Sequence, residues 1–397
     1  MSTNYPATFY AANLEDGGNR PQIFDPALKE FQYAFRAGDP EFARPEDAIR
    51  WREARRLATD HVLRLVAESP WGKQLVLRGS RLLKAWFGDE AREPGDLDYV
   101  VRPATLQPTD SSGVAMLNGL RSCVASRPGP AGIDFLHDMV ACDNIWTYER
   151  AEGRRIVFPW QTRGLPGGAV QVDIVFAEEL TEPPILTQLA LTGGEIVLIW
   201  TAGVGQSFAW KVLWLETDIN PQGKDLYDAA ILAEHVFLPR TILEQIHHYG
   251  VARPSDNALE QIRHTRFVRP FEKADDLIAD WRVEWDHFAN ECPWVQGGLE
   301  DWSARLIKAI KPSFASCEQP KRSVLFPPHW KSWEAMSLAQ GIVEAQAFGR
   351  LSILADALEE AGCENADVLA HCRGGLHHEG NCWVIDSLLR NSNSQVK

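Results

Sequence analysis

Two aspartates, Asp96 and Asp98, open an apolar run, Tyr99-Val100-Val101, and a Gly79-Ser80 pair closes an earlier one, Leu75-Val76-Leu77-Arg78. Side chains two residues apart on a strand leave the same face, so the two carboxylates aim at one point. Two oxygen donors held that close suit a divalent cation. The Gly-Ser pair follows a strand and precedes an amphipathic segment, where backbone N–H groups and a hydroxyl can cradle a phosphate. The order strand, Gly-Ser turn, helix, Asp-x-Asp strand confines the chain to folds that bring a phosphate cradle and a metal pair together.

A catalytic metal pair needs more than two ligands, and an attacking hydroxyl needs an activating group. Asp173 fits either need. It sits in Val170-Gln171-Val172-Asp173-Ile174-Val175-Phe176, a β-branched run that reads as a buried central strand. Buried charges are paired or bind metals. Asp173 is therefore a metal ligand or base, or else a structural carboxylate held by a cation or by several donors.

These elements resemble the AbiEii/AbiGii toxin family of nucleotidyltransferases, a branch of the polymerase-β-like superfamily. Ser207-Phe208-Ala209-Trp210-Lys211-Val212-Leu213-Trp214-Leu215 is similar to that family's helical lysine segment. Gly223-Lys224-Asp225-Leu226-Tyr227-Asp228-Ala229 is similar to its Arg/Lys-Asp-Leu-Tyr-Asp motif. The match spans roughly residues 50 to 240. It implies an α+β fold, a polymerase-β-like mixed sheet with flanking helices, followed by a mainly helical C-terminal domain. It further implies Mg2+ or Mn2+ on Asp96, Asp98 and Asp173, a nucleoside triphosphate as substrate, and Gly79 and Ser80 against the outgoing phosphates. Lys211 becomes the charge partner of the triphosphate. Asp225 and Asp228 orient Lys211, bind metal, or cap the helix that begins near Leu226. Arg78 and Arg81, flanking the Gly-Ser turn, touch phosphate or form surface ion pairs.

The resemblance also implies the toxin half of a bacterial toxin–antitoxin or phage-defence pair, with a separately encoded antitoxin and, for some relatives, transfer of nucleotides to tRNA ends. The activity expected is metal-dependent nucleotidyl transfer to an RNA or protein acceptor, with a small-molecule acceptor open. The reading from another class is a catalytically silent nucleotide-binding or protein-interaction module. Two departures stand out. Fifteen residues, Arg81 to Gly95, separate Ser80 from Asp96, so the loop from Gly88 to Gly95 is enlarged. Gly95 also stands where the family often has a hydroxyl residue.

A formal net charge of −14 argues against broad nucleic-acid binding, which needs many Lys and Arg on phosphates. The best local basic patch is Arg253, Arg263, Arg266, Arg269 and Lys273, read as a solvated helix face or an RNA contact. No apolar run approaches the ~18 residues of a membrane span, and the first residues open no signal or transit peptide, so a cytoplasmic protein is expected. Seven scattered cysteines without a secretory signal predict no disulfide framework.

Along the 397 residues the expected organisation is an N-terminal arm over 1–45, the nucleotidyltransferase domain over 46–240, a helical domain over 241–310, a linker over 311–335 and a helical tail over 336–397. A helix opens at Pro45 with Ile49, Leu57, Val62, Leu65 and Val66 as its apolar stripe. Trp281, Trp285, Trp294 and Trp302 read as core aromatics. The tail resembles a short segment attached to varied proteins of planctomycete-type bacteria. Its Cys363, His371, Cys372, His377, His378 and Cys382 suffice for zinc by number, but no Cys-x-x-Cys spacing supports a finger or ribbon, and packed cysteines with surface histidines are the alternative.

Overall fold

The computed structural model describes residues 4–14, 18–28, 31–145, 151–218, 221–238, 283–315, 327–345, 347–373 and 382–389. The chain divides into two units, residues 1–314 and 315–397.

The first unit begins with an arm that carries a short helix, α1 (Ala7–Ala12), and a two-stranded antiparallel ribbon, β1 (Gln22–Phe24) and β2 (Phe35–Ala37). A long helix follows, α2 (Pro45–Glu68), with Pro45 in its first turn where a missing N–H costs nothing. Its buried residues include Trp51, Ala58, Val62, Leu65 and Val66, whereas Ile49, expected in the stripe, is 58% exposed. Next come β3 (Leu75–Arg78), α3 (Ser80–Phe87), β4 (Leu97–Val101), α4 (Ser111–Ala125), β5 (Ile133–Phe135), β6 (Ala141–Ile145), β7 (Gly153–Thr162) and β8 (Leu165–Val175). The unit continues with β9 (Ile185–Ala190), β10 (Ile196–Thr201), α5 (Val204–Thr217), α6 (Gly223–His235), α7 (Trp285–Glu291) and α8 (Leu299–Ala315).

Eight strands form one mixed sheet in the order β5-β7-β8-β4-β3-β10-β9, with β6 also paired to β7. β4 runs parallel to β8 and β10 parallel to β3, and the other pairs are antiparallel. Strand alternation sorts the side chains into two cores. Leu75, Leu77, Leu97, Tyr99, Val172 and Ile174 pack with α2 and α4 on one side. Val76 and Val100 pack with α5, α6, α7 and α8 on the other. Asp98 and Asp173 fall between the first set's positions, so both strands turn their acids toward the α5–α8 side.

Lys311 and Pro312, read from sequence as the start of a linker, belong to α8 instead. A proline near a helix end removes one backbone bond and leaves the preceding turns intact. Trp285 and Trp302 are buried as expected of core aromatics, but Trp294 is 54% exposed, set edge-on to Tyr227. Trp281 and the basic patch from Arg253 to Lys273 lie outside the described residues.

The second unit packs helices at Trp333–Glu344, Leu351–Glu360, Ala366–Arg373 and Trp383–Leu389 around Ala339, Ile342, Leu354, Leu358, Val368 and Leu388. The first of these begins at Trp333, capped by the Ser332 hydroxyl, which accepts from the Ala335 amide at 3.1 Å. Cys363, Cys372 and Cys382 are buried in this core, and Cys382 Sγ lies 3.4 Å from His371 Nε2. Among the described residues these groups do not converge as a metal site, and His377 and His378 lie outside them. Among the described residues no helix is long and apolar enough to cross a membrane.

Candidate active site

Asp98 and Asp173 face each other across the parallel β4–β8 pair, and Asp96 precedes β4 by one residue. One oxygen from each of Asp96, Asp98 and Asp173 lies within 4.8 Å of the others. Asp173 is only 4% exposed, while Asp96 and Asp98 are half-buried. Burial, together with the charges of Asp96 and Asp173, pushes the Asp98 carboxyl up to about 7, against the opposing pull of Arg78 and Lys224. Burial also acts to raise Asp96, but the fields of Lys224, Arg92, Arg155 and Arg36 outweigh it and hold that carboxyl below the usual range. Burial raises Asp173 despite the guanidinium of Arg155. Three converging carboxylates offer hard oxygen donors of the kind that suit Mg2+ or Mn2+.

The Gly-Ser turn abuts the triad directly. Gly79 has φ of 79°, a left-handed conformation that glycine adopts without strain, and a Cβ there would lie 2.3 Å from Asp98 Oδ2. Only a residue without a side chain lets the turn sit against the acid. Ser80 begins α3, and its Oγ is buried with no hydrogen-bond partner among the described residues. A buried hydroxyl left unpaired is costly, which is the condition expected of a group awaiting a ligand.

Lys211 is 4% exposed in α5 and donates to Asp225 Oδ1 at 2.8 Å, with Asp228 Oδ2 at 2.9 Å. Arg92 grips the same Asp228 through Nε at 3.1 Å and Nη2 at 3.0 Å. Asp225 and Asp228 thus both contact Lys211. Neither joins the carboxylate triad, and the residue before α6 is Gln222, so Asp225 does not cap that helix but lies in its first turn. The enlarged loop from Gly88 to Gly95 finds its use here, since it delivers Arg92 to Asp228 and the Glu90 carbonyl to the Tyr227 hydroxyl at 2.6 Å.

Arg78 and Arg81 are not surface ion pairs. Arg78 is 1% exposed, donates to both oxygens of Glu178 at 2.9 Å and stacks on Trp210 and Trp214. Arg81 donates to Asp60 Oδ1 at 3.1 Å and to the Ala190 carbonyl at 3.0 Å. Each ties its own element to another part of the unit. Sequence reasoning passed over two cations. Lys224, half-buried and without an ion-pair partner within 4 Å among the described residues, is the strongest positive field on Asp96. Arg155, directly opposite Asp173 in the β7–β8 register, forks onto both its oxygens. Lys224 stood inside the Lys-Asp-Leu-Tyr-Asp motif; Arg155, beside Arg154 at the start of β7, carried no signal of its own.

A family model described as "Nucleotidyl transferase AbiEii toxin, Type IV TA system" matches residues 62–303, more than half of the chain. The chain belongs to this AbiEii family. It is a nucleotidyltransferase with the family's mixed sheet and flanking helices, of the toxin class in type IV toxin–antitoxin systems. Among solved structures it is similar to MenT4, a nucleotidyltransferase toxin from Mycobacterium tuberculosis H37Rv, with a TM-score of 0.46 and 16% identity over 70% of this chain and 95% of that one. No curated protein sequence matches it. The AbiEii match begins inside α2 and ends inside α8, so the arm and the second unit stand outside it.

Proposed function

We propose that this AbiEii-family chain transfers a nucleoside monophosphate from a nucleoside triphosphate to an RNA, tRNA-like, or protein acceptor, with Mg2+ or Mn2+ held by Asp96, Asp98 and Asp173. The observation that carries the reading is the convergence of three carboxylates within 4.8 Å beside a glycine turn that only a missing side chain permits. A bound divalent ion would neutralise phosphate charge and make an acceptor hydroxyl easier to deprotonate.

The chain's own groups divide the remaining work. Asp173, by completing the ion's ligand set, would favour deprotonation of the acceptor, whose oxygen attacks the α-phosphorus as pyrophosphate leaves. The Gly79 and Ser80 amides and the unpaired Ser80 hydroxyl receive the outgoing phosphates at the start of α3, where the helix end favours negative charge. Lys211, aimed by Asp225 and Asp228, is the charge partner of the triphosphate, and Lys224 adds a second positive field. Positioning and charge neutralisation account for most of the barrier lowering in phosphoryl-type transfer. A separately encoded antitoxin is the protein partner this reading expects.

The net charge of −14 favours a second reading, a small-molecule acceptor, since long nucleic acids are drawn by basic surfaces. Incubating the full chain with each labelled nucleoside triphosphate, Mg2+ or Mn2+ and total bacterial RNA, beside Asp96→Ala/Asp98→Ala, separates these. Label entering RNA or protein only with the intact acids is the expected result. Pyrophosphate release stimulated by small-molecule extracts, with no labelled polymer, would favour the second reading, and no reaction under any condition would defeat both.

A further inference from the structure

Arg155 lies between Asp173 of the carboxylate triad and Asp25 of the N-terminal arm, and the reaction above assigns neither Arg155 nor Asp25 a task. Arg155 donates from Nε to Asp173 Oδ1 at 3.0 Å and from Nη2 to Asp173 Oδ2 at 2.9 Å. Gln171 Nε2 adds a second donor to Oδ2 at 3.1 Å. A carboxylate oxygen accepts about two such bonds, so Oδ2 is filled and Oδ1 keeps a lone pair for another ligand. The third edge of the guanidinium, Nη1, donates to Asp25 Oδ2 at 3.1 Å. Asp25 is itself fixed: its Oδ1 accepts from the Ala27 amide at 3.0 Å, and Arg36 Nε lies 3.5 Å from its Oδ2. Asp25 follows β1 and Arg36 sits in β2, so both come from the arm, outside the residues the AbiEii family model matches.

We propose that Arg155 is a positioning residue that presents Asp173 Oδ1 to the divalent ion, and that Asp25 of the N-terminal arm holds Arg155 for this task, making the arm a working part of the metal site. The inference rests on the reading of Asp96, Asp98 and Asp173 as metal ligands. A guanidinium and a divalent cation compete for the same carboxylate. A second acid on the far side of the guanidinium draws charge back from the ion and keeps the fork in one orientation, as partners behind metal ligands do elsewhere. Without the Asp25 charge, Arg155 neutralises Asp173 more fully and the ion is held less tightly. Asn at position 25 keeps an acceptor for the Ala27 amide and so keeps the arm's local turn.

The test is Mn2+ binding to the full chain without nucleotide, read from the electron paramagnetic resonance signal of free Mn2+. Asp25→Asn is expected to raise the dissociation constant roughly 10-fold, the low end of what losing such a partner costs. Arg155→Lys keeps the charge but loses the fork, and the same direction is expected. Asp143→Ala cuts a different tether of the arm, the Thr8 amide to Asp143 Oδ2 at 2.7 Å, and is expected to bind Mn2+ as the unaltered chain does. Equal weakening by Asp143→Ala, or unchanged binding in both Asp25→Asn and Arg155→Lys while Asp96→Ala/Asp98→Ala loses it, overturns the proposal and leaves the metal reading standing. Tight binding that survives Asp96→Ala/Asp98→Ala overturns the metal reading itself.

Discussion

The chain contains two neighbouring clusters of buried charge that differ in one respect. Lys211, Arg92, Asp225 and Asp228 form two cations against two carboxylates, joined by contacts of 2.8, 2.9, 3.0 and 3.1 Å. Asp96, Asp98 and Asp173 form three carboxylates with one guanidinium locked onto the third. In the balanced cluster, burial opposes the charged Asp228 but Arg92 and Lys211 more than offset it, and the carboxyl lies below its usual range. In the unbalanced one, Asp98 is driven up to about 7. The same fold favours the charged form of Asp228 and drives Asp98 toward its neutral form. On the proposed reaction that difference, beside a glycine turn, marks the triad as the ion's place, while the balanced cluster ties α5, α6 and the enlarged loop together and so fixes Lys211 for the triphosphate.

The sharpest way to break the contrast is to remove charged groups from each cluster in turn. Asp96→Ala/Asp98→Ala is expected to lower nucleotidyl transfer by on the order of 10^3-fold or more, since a metal contributes several kcal/mol of charge stabilisation at about 1.4 kcal/mol per tenfold. The metal-free melting temperature should change little, because relieving the raised Asp98 offsets the loss of Asp96, whose charge Lys224 and Arg92 favour. Lys211→Met strands Asp225 and Asp228 with a single cation, and unfolding in denaturant should show a loss of roughly 3–5 kcal/mol, the usual cost of breaking a buried pair. A loss below about 1 kcal/mol would erase the distinction between the clusters.

Titration sharpens it further. The folded Asp98 carboxyl titrates near 7, above its ordinary value of 3.8, so the protonated form is the one the fold favours. Its contribution to stability is full below about pH 4 and is lost as pH rises through 7. Melting curves in EDTA from pH 4.5 to 8 should therefore decline for the unaltered chain and flatten for Asp98→Asn. The smallest effect expected is at the turn: Ser80→Ala should raise ligand-free stability slightly, since it removes a buried unpaired hydroxyl, and weaken triphosphate affinity roughly tenfold, as for one hydrogen bond to a charged group. Unchanged affinity measured by nucleotide titration would remove Ser80 from the phosphate cradle.

Much of this arrangement was legible before any coordinates because the groups concerned are local in sequence. Strand, Gly79-Ser80, helix and Asp96-x-Asp98 lie within one stretch, and period-two alternation alone puts Asp98 on one face and Tyr99 on the other. Asp173 announced itself as a charge in a β-branched strand. Its partner Arg155 did not, since it meets Asp173 only through the antiparallel register of β7 with β8. Asp25 was hidden for a related reason: β1 and β2 are three residues each, too short for a periodic signal. The helix α4 escaped because it carries Gly113 and Gly119. A Cβ at Gly119 would fall 1.7 Å from the Trp71 ring, so close packing demands the residue that weakens the helical pattern.

The central claim is that the unbalanced cluster is completed by a divalent ion, and scanning calorimetry with and without saturating Mn2+ tests it most directly. Binding at about 100 times the dissociation constant stabilises a folded protein by ~2.7 kcal/mol. The account predicts a clear rise in the melting temperature of the unaltered chain near neutral pH and little or none for Asp98→Asn. An equal rise in both, or no rise in either, would contradict it.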